Sequence, residues 1–333
     1  MKLQTQPLSE HFGLEVQGID LADLDGDSFA AIYRLWQQEP LLLFRRQSLT
    51  EAEQVAFSRG FGDLDLIVRD DMHSPLNPEI IYITSLKRPD GSALGGLGSY
   101  EVRWHHDQVY RQRPASGSIF YAIEMPEGDG RTSFCNTKLA YDALPDNLRA
   151  RIDGRRATCR YGNRSDVSFQ QDFANNAARV AELNARTPPA THDIVLQNPA
   201  TGQKSIYLDP NKTFEIDGLE AGETEELITA LSAHMLRPEF VHTHVWRNGD
   251  VVLWDNARLW HRREAFNEAL PRFAKRTTIF LNPADFAVPE PDLTWARQWI
   301  KRTNKAPPKT PAPWPACASS TPPPSSPGRP SAC

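Results

Sequence analysis

The sequence predicts a mostly β fold with flanking helices, built as a sandwich or barrel of short strands. Strand-like segments recur from Val102 onward, at 102–107, 117–123, 132–135, 156–161, 193–197, 204–208, 241–246, 250–254 and 274–281. Helical spacing interrupts them only at 137–152 and 222–235. Many short strands separated by turns, with a few helices, are the pattern of packed sheets with helical decoration.

The first 62 residues read as compact α/β. Gly13 to Leu21 alternates like a short strand. Ser28 to Gln38 places Phe29, Ile32, Leu35 and Trp36 at helical spacing, and Leu41-Leu42-Leu43-Phe44 is a brief buried strand. Thr50 followed by Glu53 forms a capping box that opens a helix ending near Gly60. Residues 63–100 are polar and punctuated by Pro and Gly, with one strand at Ile80 to Ile83. The whole reads as one domain over residues 1–303. Beyond it, ten of the chain's 27 prolines fall from Ala306 onward, among Ser, Thr and Ala. Such a segment buries too little apolar surface to offset the entropy of ordering, so residues 304–333 are expected to be a disordered tail.

Hydrophobic content of 40% in 333 residues is enough for a sizeable core. A net charge of -5 argues against a nucleic-acid partner, because phosphate binding needs a basic surface. No run of about 18 apolar residues is present, so no membrane helix is expected. The opening Met1 to Gln6 lacks an apolar leader core, and the four cysteines form no CxxC pair. The expected location is the reducing cytoplasm.

Three segments carry the chemistry. In Trp104-His105-His106-Asp107, residues two apart on a strand share a face, so His105 and Asp107 point the same way. One imidazole and one carboxylate are two corners of a metal site. A further imidazole completes the facial set that suits non-haem Fe(II) and leaves positions open. Taken alone, H-x-D is equally the mark of two polar residues on a solvated strand. The block from Gly249 to His261 runs from a turn through a buried strand and a polar cluster, Asp255-Asn256, to one histidine. His261 is there either a third ligand or a satisfied core histidine, and Asp255 and Asn256 orient the ligands or fix the turn. In Pro271 to Arg276, Arg272 and Arg276 share a strand face. A guanidinium fork is the natural clamp for a carboxylate, although surface arginines give the same pattern.

These residues together resemble the TauD/TfdA family of Fe(II)/2-oxoglutarate-dependent dioxygenases. The resemblance runs from about Leu14 to Pro283. It rests on four motifs in order: Trp104-His105-His106-Asp107; Gly130-Arg131-Thr132-Ser133-Phe134 with Ala140 to Leu144; Gly249 to His261; and the Arg272 and Arg276 pair. It implies a double-stranded β-helix, or jelly-roll, core. It also implies that His105, Asp107 and His261 are the iron ligands and that Thr132 hydrogen-bonds a 2-oxoglutarate carboxylate. Arg272 would pair with the distal carboxylate. Arg276 would be a second anion anchor, for an acidic substrate or for 2-oxoglutarate itself. The implied reaction is hydroxylation of a small, anionic organic substrate by O2, with succinate and CO2 as co-products. Relatives are commonly dimers or tetramers. Arg131 stands where the family often has Asp, and His106 fills the variable position, where it would line the outer wall of the site.

Other readings stay open at this level. The same three ligands suit Zn(II) in a hydrolase, and a binding protein with an inactive site could share the fold. His242-Thr243-His244 is a rival metal pair, read as structural because no carboxylate stands at matching spacing. His73 is a loop histidine within reach of an anionic substrate or simply solvated, and Tyr82, Tyr100, Tyr110 and Asn211 are weaker wall candidates. His11, His192 and His234 read as structural.

Overall fold

A computed structural model of the protein describes residues 2–66, 72–96, 98–161 and 187–289. Chain contacts separate residues 1–291 from 292–333, and the second unit lies wholly outside the described residues. The expected proline-rich tail therefore falls there as well.

Two sheets form the body. The larger contains β1 (Gln4–Pro7), β2 (Leu14–Gln17), β3 (Leu41–Phe44), β15 (Val251–Asp255), β7 (Gly117–Glu124), β17 (Phe273–Leu281) and β4 (Gly62–Leu64) in that spatial order, with β5 (Ile81–Thr84) also paired to β17. The smaller runs β14 (Val241–His244), β8 (Thr132–Asn136), β16 (Leu259–Arg263), β6 (Val102–His105). Apart from the parallel β2–β3 pair, all the pairings in these sheets are antiparallel. Two antiparallel sheets packed face to face make the double-stranded β-helix the motifs imply. Two small sheets lie outside it, β9 (Arg156–Cys159) between β10 (Ala190–Asp193) and β13 (Thr213–Ile216), and the pair β11 (Val195–Gln197) with β12 (Lys204–Ile206).

Strand periodicity explains the layering. Leu41 and Leu43 face the smaller sheet with Val252, Trp254 and Phe134. Their neighbours Leu42 and Phe44 point the other way with Val251 and Leu253, onto Ile32, Trp36 and Phe57 of α1 (Gly26–Gln38) and α2 (Glu51–Arg59). A strand buried on both faces needs a continuous apolar run, which is why Leu41 to Phe44 shows no alternation. The outer face of the smaller sheet is covered by α3 (Thr137–Asp142) and α5 (Ala221–Met235), through Tyr141, Leu227, Leu231 and Trp260. Thr50 and Glu53 form the expected capping box on α2.

The departures from expectation have local causes. The helix expected at 137–152 is two, α3 and α4 (Asp146–Ile152), because Pro145 cannot continue the first and instead precedes the second. The strand expected at 193–197 divides into β10 and β11. The strand expected at 102–107 stops at His105, and Asp107 lies in a turn.

The C-terminus of α1 is held by a buried cation. The Arg258 guanidinium, 1% exposed, donates to the carbonyls of Trp36 (2.6 Å), Gln37 (3.0 Å) and Gln38 (3.3 Å), and its Nε to Asp255 Oδ2 at 2.7 Å. A positive charge on the last turn of a helix meets both the unpaired carbonyls and the negative end of the dipole. Thus α1 is tied to the β15–β16 turn. Arg258→Lys loses the planar fork and strands carbonyls. It is expected to cost on the order of 3 kcal/mol in urea unfolding; a change under about 0.5 kcal/mol would place no weight on this cap.

His192 gives a pH signature. Its Nε2–H donates to Val109 O at 2.9 Å, and burial pushes its pKa down to about 4. The unfolded chain takes up this proton near pH 6.5, before the folded protein does, so the stabilisation is present above that pH and lost as pH falls toward 4. The predicted slope is about 1 kcal/mol per pH unit from this residue. His192→Gln should show a shallower loss of thermal stability between pH 6.5 and 4.5, and an unchanged slope would contradict the assignment.

Candidate metal and co-substrate site

Three ligand-type side chains converge where the smaller sheet ends. In the antiparallel pairing of β6 with β16, His105 lies directly opposite His261. Cross-strand partners share a face, and the two rings sit 4.1 Å apart, centroid to centroid. The Asp107 carboxylate turns back toward both, with Oδ1 3.7 Å from His105 Nε2 and Oδ2 3.8 Å from His261 Nε2. One ligand atom from each of the three residues lies within 4.8 Å of the others, the only such grouping of three or more His, Cys, Asp or Glu among the described residues.

Asp107 reaches this place through its backbone, not through strand alternation. Asn256, 1% exposed, accepts from Asp107 N–H at 2.8 Å and donates to Asp107 C=O at 2.9 Å. It donates again to Ala115 O at 3.1 Å. Next in the chain, Gln108 adopts a left-handed φ of 56°, uncommon for a residue with a side chain. Asp65 accepts from both Gln108 and Arg111, and Gln108 Oε1 accepts from Arg111 and from Ala115 N–H. A strained backbone held by a closed polar network is how a functional side chain is fixed off the regular lattice.

The ionisation states suit a divalent metal. His105 Nδ1–H donates to Arg103 O at 2.8 Å, which leaves the Nε2 lone pair facing Asp107. Burial, with the Arg276 guanidinium nearby, holds His261 well below its ordinary pKa, so it is neutral. Burial opposes the charge on Asp107, but the Arg276 guanidinium, 3.2 Å away, keeps its carboxyl well below the usual range. Burial also opposes protonation of His105, yet the negative charge of Asp107, 3.7 Å away, raises its pKa, and a metal ion would take the place of that proton. Two imidazoles and one ionised carboxylate on one face are the donor set that suits non-haem Fe(II), and the residues present fit that ion.

Arg276 lies on the metal side. Its Nη1 is 3.2 and 3.3 Å from the two Asp107 oxygens, and Ser118 donates to the same carboxylate at 3.2 Å. Arg272 is different. It is 1% exposed, its Nε and Nη1 have no hydrogen-bond partner among the described residues, and Phe266 and Phe120 lie 5.3 and 5.8 Å from its guanidinium carbon. Burial, then the like charge of Arg263, pushes its pKa down to about 9. A buried cation with unpaired N–H groups marks a place built for an anion. Gly130 leaves the room: with φ at 61°, a Cβ there would stand 3.1 Å from Phe266 and 3.5 Å from Arg272 Nε. Thr132, two residues on, accepts from the Trp246 indole at 2.9 Å.

Several sequence expectations change. His106 does not line an outer wall: it is fully buried, its Nδ1–H donates to Asn256 O at 2.6 Å, and Tyr207 lies 4.5 Å away. The turn at Asp107 reverses which neighbours face the site. Arg131 leaves Thr132 undisturbed, because its Nε reaches outward to Glu264 at 2.7 Å. His244 donates to Asp250 at 2.9 Å and is structural, as read. Asn211 braces β6 through Trp104 O at 3.0 Å, Tyr82 donates to Glu51, and His73 contacts Pro78 O. Ser118, Trp246 and the Asp65–Gln108–Arg111 network escaped sequence reading, because their contacts join residues far apart in the chain.

The chain matches the family model described as taurine catabolism dioxygenase TauD, TfdA family over residues 4–278. It is 30% identical over 292 residues to the (S)-phenoxypropionate/alpha-ketoglutarate-dioxygenase of Sphingobium herbicidovorans, covering 84% of this chain and 95% of that one. It is 29% identical to the alpha-ketoglutarate-dependent 2,4-dichlorophenoxyacetate dioxygenase of Cupriavidus pinatubonensis, over 84% and 98%. Among solved structures, a taurine dioxygenase from Burkholderia xenovorans superposes with a TM-score of 0.67 at 30% identity, over 84% and 90%.

Asn256→Ala removes the clamp on Asp107 while leaving all three ligand side chains. It is expected to weaken binding of Mn(II) to the metal-free protein roughly 10- to 100-fold. Unchanged affinity in an anaerobic titration would show that Asp107 is held without Asn256.

Proposed function

The chain belongs to the TauD/TfdA family of Fe(II)- and 2-oxoglutarate-dependent dioxygenases, and from that premise we propose that His105, Asp107 and His261 hold its Fe(II) while Arg272 and Thr132 hold 2-oxoglutarate. The observation that carries this reading is the convergence of three ligand atoms to within 4.8 Å of one another. When bound, the metal and co-substrate supply O2 activation and oxidation of a substrate C–H bond, with succinate and CO2 as co-products.

The protein's own residues divide the remaining tasks. Asn256 and the Gln108 network orient Asp107. Arg103 O fixes the tautomer of His105, and burial keeps His261 neutral. Arg272 offers a desolvated guanidinium to the distal carboxylate, where an ion pair is strengthened by the low local dielectric. Arg276 brings a second cation to the metal side. We assign it as an anchor for the acidic group of a small organic substrate, or for 2-oxoglutarate itself. The substrates named for the relatives, two aryloxyalkanoates and taurine, all carry an acidic group, which fits this anchor. A zinc hydrolase would use the same three ligands, but it has no need of a buried, unpartnered Arg272. An inactive binding protein would have no reason to keep all three ligands.

We further infer that residues 1–303 form one catalytic domain and that the enzyme is a cytoplasmic homo-oligomer, a dimer or tetramer. The buried free thiols of Cys135 and Cys159 fit a reducing compartment. Among the described residues, no helix is long and apolar enough to cross a membrane. Light scattering of the purified protein tests the oligomer, and a monomer at working concentration would overturn it.

Anaerobic addition of Fe(II) and 2-oxoglutarate is expected to give a weak visible charge-transfer band, and exposure to O2 to give succinate. Absence of both from folded protein would contradict the reading. Arg272→Ala should raise the apparent requirement for 2-oxoglutarate at least tenfold, a lost charge-assisted contact, with the requirement for iron little changed. Equal effects on both would remove Arg272 from its assigned role.

A further inference from the structure

We propose that Trp246 is a positioning residue that fixes the Thr132 hydroxyl as a hydrogen-bond donor toward the co-substrate carboxylate. The inference rests on the reading that Thr132 and Arg272 hold 2-oxoglutarate, and it concerns how that site is prepared before the co-substrate arrives.

An indole N–H can only donate, whereas a threonine hydroxyl carries one donor and two acceptor positions. The 2.9 Å contact between Trp246 Nε1 and Thr132 Oγ1 therefore has one possible polarity: Trp246 donates. Thr132 is thereby held as an acceptor from the protein side, and its single proton is left to point elsewhere. Both residues are buried, at 4% and 8% exposure, so bulk water does not compete for that proton as it would at the surface.

The direction available to the proton is set by the surroundings. Phe120 lies 4.6 Å from the Trp246 ring and 5.8 Å from the Arg272 guanidinium carbon. Trp246 and Arg272 thus border the same phenyl ring, and Arg272 brings two unpartnered N–H-bearing nitrogens there. On strand β8, Thr132 lies opposite Arg263 on one side and His244 on the other. A hydroxyl with its acceptor side taken by the indole adds a donor to the group already offered by Arg272. An anion that pairs with Arg272 then meets a donor that needs no reorientation, the preorganisation that makes a buried polar site effective.

The indole is itself immobilised by a chain of contacts that the iron site does not use. The His244 ring packs edge-on against it, 4.6 Å between centroids. His244 donates to Asp250 Oδ2 at 2.9 Å. Asp250, 1% exposed, also accepts from Arg45 Nη1 at 3.0 Å on both oxygens and from Arg247 N–H at 3.0 Å. The His244 that the sequence offers as half of a rival metal pair is therefore a brace behind Trp246.

Trp246→Phe keeps an aromatic ring and deletes the donor. Two readouts are compared: KM and kcat for 2-oxoglutarate, and equilibrium binding of N-oxalylglycine to the anaerobic Mn(II)-loaded protein, which involves no turnover. Trp246→Phe is expected to raise KM and the N-oxalylglycine Kd roughly five- to tenfold, the loss of one buried hydrogen bond, with Mn(II) affinity unchanged. Thr132→Val should weaken both at least as much, and the double variant should be no worse than Thr132→Val alone. If Thr132→Val weakens binding while Trp246→Phe stays within about twofold of wild type, or if the two effects simply add, the positioning role is overturned and the assignment of Thr132 stands. If Thr132→Val also leaves binding unchanged, the assignment of Thr132 itself fails. Should Trp246→Phe not fold, 3-benzothienylalanine at position 246 keeps the bicycle and lacks the N–H; the same increases are expected from it, and wild-type affinity would overturn the proposal.

Discussion

The register between β6 and β16 is the constraint on which the rest depends. It sets His105 opposite His261, and a shift of one residue would turn one of the two rings to the other face. That register is secured from behind. Trp260 Nε1 donates to Leu208 O at 2.7 Å, and β16 also pairs along β8 from Leu259 to Arg263. The turn before β16 carries both the Asn256 amide that grips Asp107 and the Arg258 guanidinium that grips α1. Thus one short segment, 255–263, joins the helical layer, His261 and the position of the Asp107 carboxylate. The convergence of His105, Asp107 and His261 follows from how this segment packs.

Burial sets the charges of the site as well as its shape. Desolvation alone would neutralise Asp107, yet the Arg276 guanidinium outweighs it, so the carboxylate stays ionised. The same desolvation, reinforced by the positive neighbours, keeps His261 neutral. Among the described residues no acidic partner answers Arg272, so its cost of burial stays uncompensated by them. On the proposed reading, a ligand carboxylate would supply the compensation, and the open pair of donors would become binding energy for that ligand.

Much of this was legible in the chain, for reasons that differ from residue to residue. His105, Asp107, His261, Thr132 and Arg272 stood out because they fall in short segments whose order matches a known family. His105 and Asp107 do come together, but not by strand alternation, since the strand ends at His105 and a left-handed Gln108 follows the carboxylate. Nothing in the residue type of Gln108 announces that φ; it comes from Asp65, some forty positions earlier. Strand β16 was hidden because Leu-Trp-His-Arg-Arg has no alternation of apolar and polar residues, both faces being buried. Strand β1 was missed because Gln-Thr-Gln-Pro is exposed throughout and presents no apolar face to mark it. The inward turn of His106 and the contact from Trp246 to Thr132 are tertiary facts, set by register and packing rather than by local pattern.

The proposed reading places two anchored groups in one active site, a metal on His105, Asp107 and His261 and a carboxylate on Arg272. A crystal structure of the anaerobic complex with Fe(II) and 2-oxoglutarate, with iron located by its anomalous scattering, tests this most directly. The account predicts one iron peak bonded to His105 Nε2, Asp107 and His261 Nε2, with the distal carboxylate of 2-oxoglutarate paired to the Arg272 guanidinium. Iron bound elsewhere, or that carboxylate seated away from Arg272, would contradict it.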